Sequence, residues 1–155
     1  MVAARDGSGT QFTLVLLDAD TVAGWRRATP SLGQLRRATS DLIRQYPQVK
    51  VAVVADPSIK WALDDSEHDA FEEAIVQRAV VCAPAGTSDG TDGWVAAIVD
   101  RARRNGDTVA MVTDRAVSGV PVVRLGHADG GFTFDLDGAR EVEARPAPQW
   151  RRRRR

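Results

Sequence analysis

The sequence predicts an α/β domain built on a mainly parallel sheet flanked by helices. Two observations carry this. Short, continuous apolar runs recur along the chain, the pattern of strands buried on both faces. Between them lie segments whose apolar residues repeat at helical spacing, so strands and helices alternate as in βαβ units. A length of 155 residues suits one domain with a real core, and 43% hydrophobic residues argue against wholesale disorder.

The first run, Thr10 to Leu17, is β-rich and ends on Asp18. Pro30, Ser31 and Gln34 then mark a helix start, with Ser31 and Gln34 at capping-box spacing. That helix should reach about Tyr46, before Pro47, with Leu32, Leu35, Ala38, Leu42 and Ile43 on its inner face. Lys50 to Ala55 is a second strand, followed by Asp56-Pro57, and a second helix is expected over Glu67 to Arg78. Val80 to Ala83 makes a short third strand. It contains Cys82, the only cysteine, which excludes an internal disulfide and is expected to be an inert core thiol. A polar stretch from Gly86 to Asp92 leads into a third helix, about Gly93 to Asn105, with Val95, Ile98, Val99 and Ala102 inward and Gly106 as its stop. Thr108 to Thr113 is the fourth strand, ending at Asp114. Past Val122 to Leu125, Gly130-Gly131 and Phe132 to Leu136 read as a terminal hairpin or edge strand.

No run of eighteen apolar residues exists, so no membrane span is expected, and the small, polar start lacks the apolar region of a signal peptide. With the single cysteine, this points to the cytoplasm. The 21 basic and 21 acidic residues balance, but Arg151 to Arg155 are all arginine. Without those five, 16 basic residues face 21 acidic ones, so the body is near −5 and the tail carries the positive charge. A basic tail suggests contact with polyanions. Residues 1–10 are expected to be flexible, residues 11–145 to form the domain, and residues 146–155 to be a disordered Arg-rich tail.

Three apolar strands end in aspartate: Asp18, Asp56 and Asp114. In open α/β sheets ligands bind beyond the carboxyl ends of the strands, and right-handed crossovers put those ends on one edge. Asp89 and Asp92, just before a helix, belong to the same edge. Each aspartate also has a structural reading, as a turn residue or a helix cap, and Asp56-Pro57 is an ordinary turn pair. Together they make a cluster of carboxylates, which repel one another unless protons or a cation intervene. An oxygen-liganded Mg²⁺ or Mn²⁺ would resolve that repulsion and is typically shared with a substrate phosphate. His68 and His127 are isolated, so no zinc cluster is expected, and neither a phosphate-binding Gly-Lys loop nor a dinucleotide fingerprint is present.

Leu17 to Ala23 (Leu-Asp-Ala-Asp-Thr-Val-Ala) resembles the opening Asp-Gly-Ser-Asn-Val-Ala motif of NYN domains. These belong to the PIN-like nucleases, and the nearest type is the bacterial relatives of the Regnase-like ribonuclease domain. Ala83 to Thr87 followed by Asp92 to Ile98 is similar to the family's central segment, an aspartate opening a helix. Met111 to Arg115 is similar to its Ser-Asn-Asp-Arg segment. The resemblance spans about residues 12 to 120. It implies a PIN-like three-layer sandwich and a Mg²⁺- or Mn²⁺-dependent endoribonuclease in which Asp18, Asp92 and Asp114 are catalytic and hold the metal. The family asparagines are replaced by Thr21 and Thr113, and a further acid by Ser118; Asp20 and Asp89 are extra acids that could serve as auxiliary ligands. Arg26, Arg27 and Arg115 are placed to approach RNA phosphates, as are Arg151, Arg152 and Arg153 in the tail.

Two other readings stay open. One is a catalytically degenerate PIN-like module that binds RNA or protein; a homo-oligomer is also compatible with the sequence. The other is a haloacid-dehalogenase-type phosphatase, since an apolar strand running into Asp18-Ala-Asp20 is similar to that nucleophile motif. There, however, a threonine is expected two residues after the second aspartate, and Thr21 follows it directly.

Overall fold

In the computed structural model, residues 10–84, 90–115, 117 and 119–141 are described. Six strands form one sheet in the order β3-β2-β1-β4-β5-β6. They are β1 (Leu14–Asp18), β2 (Lys50–Ala55), β3 (Val81–Cys82), β4 (Val109–Val112), β5 (Pro121–Ala128) and β6 (Gly131–Glu141). The first five are mutually parallel, and β6 returns antiparallel along β5. The hairpin between them turns at Asp129 and Gly130, both with positive φ (54° and 78°). This is the conformation that two-residue turns need to match the strand twist.

The helices are α1 (Ala19–Gly24), α2 (Leu32–Gln45), α3 (Ile59–Ala62), α4 (His68–Val76, entered through a 3-10 turn at Asp65–Glu67) and α5 (Gly90–Arg104). The pleat of β1 divides the core. Val15 and Leu17 face one layer, with Leu35, Leu42 and Phe71 from α2 and α4. Leu16 faces the other, with Val95 and Val99 from α5 and Met111 from β4. The result is a three-layer sandwich with helices on both faces of the sheet. No helix among the described residues is long and apolar enough to cross a membrane.

Local chemistry explains α2. The Ser31 hydroxyl accepts from the Gln34 amide at 3.1 Å, one half of a capping box. The other half is absent, because the Gln34 side chain instead donates to the carbonyls of Val22 and Trp25, both at 2.9 Å, tying α2 to the end of α1. Glu67, distant in sequence, accepts from the Leu32 amide at 3.1 Å and puts a carboxylate at the positive end of the helix. At the other end the Gln45 side chain donates to the Phe132 carbonyl at 2.7 Å, which fastens α2 to β6.

Several expectations need correcting. The first strand begins at Leu14 rather than Thr10. A short helix that the sequence reading does not include, α1, follows Asp18 at once. Ile43 is 49% exposed, because only the stripe Leu32, Leu35, Ala38 and Leu42 of α2 meets the sheet. The helix expected over Glu67 to Arg78 is shorter, ending at Val76, and Arg78 just beyond it has a φ of 63° that no helix can continue through. Cys82 lies on a two-residue edge strand and is only partly buried, so it is not a core thiol. The N-terminus (residues 1–9), Asp89 and the arginine tail lie outside the described residues.

Candidate functional site

The strand order reverses direction between β1 and β4: β2 and β3 lie on one side, β5 and β6 on the other. Such a switch point leaves a crevice at the carboxyl ends of the two central strands. Asp18 ends β1, and Thr113-Asp114 follow β4. A cleft of about 330 Å³ opens there, lined by Asp18, Asp20, Thr21, Asp56, Asp114 and Arg115, with Ser58 at its margin.

Asp18 is the innermost acid, 2% exposed. Its Oδ2 accepts three donors: the Thr113 hydroxyl at 2.7 Å, the Thr21 hydroxyl at 3.0 Å and an Arg115 guanidinium nitrogen at 3.3 Å. Burying a carboxylate this deeply is costly unless it is so bonded. The two threonines stand where the NYN-like pattern has asparagine, and both place a hydroxyl on Asp18. Thr21 also lies 2.9 Å from Asp114 Oδ1. A hydroxyl has one proton and here faces two carboxylates, so it serves one of them at a time.

Asp20 opens α1 and accepts from the Asp56 amide at 3.4 Å. Burial and, next, the neighbouring Asp18 charge push its pKa above the ordinary carboxylate value. Asp56 behaves oppositely: bonds from the Ser58 side chain, then from the Thr91 hydroxyl at 2.6 Å and from the Ser58 amide at 2.8 Å, hold its pKa low. Asp92 is not in the cleft lining. Its exposed carboxylate reaches the site through Arg115, 2.7 Å from one guanidinium nitrogen while another meets Asp18. Burial works against the Arg115 charge, but Asp18 and then Asp92 outweigh it and raise its pKa.

The structure therefore brings together Asp18, Asp20, Asp114 and Arg115, with Asp92 at the rim. Sequence reasoning undervalued Asp56 and gave no role to Thr21 or Thr113 beyond marking them as departures. The usable signal for Asp56 is its position as one of three strand-ending aspartates. Arg26 and Arg27 are elsewhere, in a second cleft beyond the far end of α1.

The oxygen-only donor set has the chemistry that Mg²⁺ or Mn²⁺ prefers. Its spacing does not make a metal centre, however. Among the described residues no three acids, histidines or cysteines are grouped to hold an ion, and the guanidinium of Arg115 spans Asp18 and Asp92.

No family model and no curated protein matches the chain. Among solved structures, the chain is similar to the crystal structure of nuclear proteinaceous RNase P 2 (PRORP2) from A. thaliana. The likeness has a TM-score of 0.56 at 14% identity and covers 78% of this chain. The matched part is 29% of that protein, so the chain spans under a third of its relative's length. At this identity the likeness shows the fold alone, an α/β sandwich.

Proposed function

We propose that this domain hydrolyses RNA phosphodiesters in the acidic cleft at the switch point of its sheet. The observation that carries the reading is the meeting of Asp18, Asp20, Asp114 and Arg115 at the carboxyl ends of β1 and β4. The NYN-like motifs around Asp18, Asp92 and Asp114 support it, as does the likeness to a protein named as an RNase P. RNA is the expected partner.

The chain's own residues divide the work. Arg115 sits where its guanidinium can exchange a carboxylate for a phosphate oxygen, a partner of matching geometry. A cleft carboxylate, Asp20 or Asp114, takes a proton from the attacking water as its oxygen bonds to phosphorus. The leaving ribose oxygen takes a proton from solvent as the phosphorus–oxygen bond breaks, and the carboxyl returns its own proton to solvent. Asp18, bonded to three donors, orients Thr21, Thr113 and Arg115 rather than meeting the substrate. The Mg²⁺ or Mn²⁺ dependence implied by the motifs belongs to this proposal, although the observed spacing of the acids does not fit an ion.

The experiment is single-turnover cleavage of end-labelled RNA by the full chain, with Mn²⁺, with Mg²⁺ and with EDTA. Asp114→Asn and Asp20→Asn should each slow cleavage at least a hundredfold if they act on the proton, a usual size for acid–base catalysis. Parent-like cleavage by both variants would overturn the assignment. The second reading, a binding module without catalysis, is favoured by Arg115, which already neutralises two of the acids. RNA binding with no cleavage in any metal condition would select it.

A further inference from the structure

Beyond the carboxyl end of α1 lies a second cleft, of about 310 Å³, unlike the first in charge. Arg26, Arg27 and Arg37 line it against one carboxylate, Asp41. That carboxylate is already occupied, by Arg44 at 2.6 Å and by the Phe132 amide at 2.9 Å. No ion pair of Arg26, Arg27 or Arg37 occurs among the described residues. Three guanidinium groups thus line the cleft with no neutralising partner among the described residues.

Its floor is aromatic. Trp25 meets Phe132 edge-on at 5.7 Å and His127 at 6.3 Å, and His127 in turn meets Phe132 at 5.1 Å. The Arg26 guanidinium lies over the Trp25 ring, 4.3 Å from its centre. Arg26 also has a φ of 55°, the left-handed conformation that a residue just past a helix often adopts and that glycine adopts at least cost. The backbone here favours glycine, and an arginine occupies the position with its side chain folded onto the tryptophan.

We propose that this cleft is a subsite for single-stranded RNA. One base stacks on the Trp25 face that Arg26 covers in the free protein, and the neighbouring phosphates lie on Arg27, Arg37 and the displaced Arg26. Stacking on an aromatic ring beside a basic track is how single strands are held without sequence preference. A duplex, with its bases already stacked, cannot use the tryptophan. Asp18 and Trp25 are the two ends of α1, roughly 10 Å apart at the helical rise, so one strand can pass from this cleft to the acidic one. The inference rests on the RNA reading above and adds where the strand is gripped.

The test measures binding of fluorescein-labelled single-stranded RNA to the full chain, against duplex RNA and an acidic peptide of equal charge. Arg26→Gly is the informative variant: the backbone conformation is relieved, so the melting temperature should hold or rise, while affinity falls. Arg27→Glu with Arg37→Glu, both exposed positions, should weaken binding further. It should also flatten the dependence of log affinity on log salt by about 0.7 per phosphate lost. Trp25→Leu should cost about fivefold or more in affinity, and Trp25→Phe should recover much of it. RNA quenching of the parent's tryptophan fluorescence should shrink in Trp25→Phe. Parent-like affinity in the folded Arg26→Gly and double Glu variants would overturn the subsite. So would a preference for duplex, or for the acidic peptide with Trp25 indifferent. Cleavage is scored separately. Loss of cleavage in every condition with Trp25-dependent binding intact removes the hydrolase and keeps the subsite. Cleavage with parent-like binding in these variants does the reverse.

Discussion

Replacing Thr113 with valine tests the centre of the acidic cleft directly. The side chains have nearly the same shape, so packing is kept while the hydroxyl is lost. Thr113 is 5% exposed and donates to the buried Asp18 at 2.7 Å. Its oxygen also accepts from the Arg115 amide at 3.2 Å. A hydrogen bond to a charged group contributes about 1.5–3 kcal/mol, and a neutral one about 1 kcal/mol. Asp18 keeps Thr21 and Arg115, so the loss should lie near 2–3 kcal/mol, roughly 4–12 °C in Tm for a domain of this size. Urea unfolding should show a lower midpoint with unchanged slope. Thr113→Ser keeps the donor and sheds one methyl group, a cost of about 1 kcal/mol. In the Asp18→Asn background the valine effect should shrink, since the bonded partner is no longer charged. A valine variant within about 0.5 kcal/mol of the parent, or a serine variant less stable than the valine one, would refute the account of how Asp18 is held.

Asp20→Asn should melt higher than the parent at pH 7. A carboxyl whose folded-state pKa is raised contributes stability below its unfolded pKa and loses it as pH rises through the folded one, so the gain should vanish as the pH falls towards the ordinary value of 3.8. Ser31→Ala removes the bond to the Gln34 amide and should cost about 1 kcal/mol in urea unfolding, with cleavage retained. Deleting Arg151 to Arg155 should lower RNA affinity and its salt dependence but leave cleavage at saturating RNA measurable.

How much of this was legible depended on whether a residue's partner lies near it in sequence. Lys50–Ala55 matches its apolar run residue for residue, because a strand between two others must be apolar on both faces. The Ser31 cap was readable because the bond it makes is local. Helix α1 was not: six residues are too few to show a helical period. Ile43 follows Leu42, so periodicity grouped the two, and only the packing angle of α2 separates them. In the cleft, the positions of Asp18 and Asp114 follow from strand ends and handedness alone. The bonds of Thr21 and Thr113 do not, since their partners are up to 95 residues away and a hydroxyl leaves no pattern in sequence. Asp56 was undervalued because its turn bond to Ser58 is local and visible, whereas Thr91 reaches it across 35 residues.

The pairing of β1 with β4 also sets when the site can exist. Leu14 lies opposite Val109, so the two walls of the cleft are made at opposite ends of the domain's synthesis. A growing chain carries Asp18 early, but Thr113, Asp114 and Arg115 arrive only after β2, β3 and α5 have emerged. Contacts this distant form late, because the intervening loop must first be closed. Until then Asp18 has the Thr21 hydroxyl at hand but lacks the Thr113 hydroxyl and the Arg115 guanidinium. A nascent chain therefore passes through most of its synthesis with the acidic cleft unassembled, and the cleft is complete only once the sheet has closed.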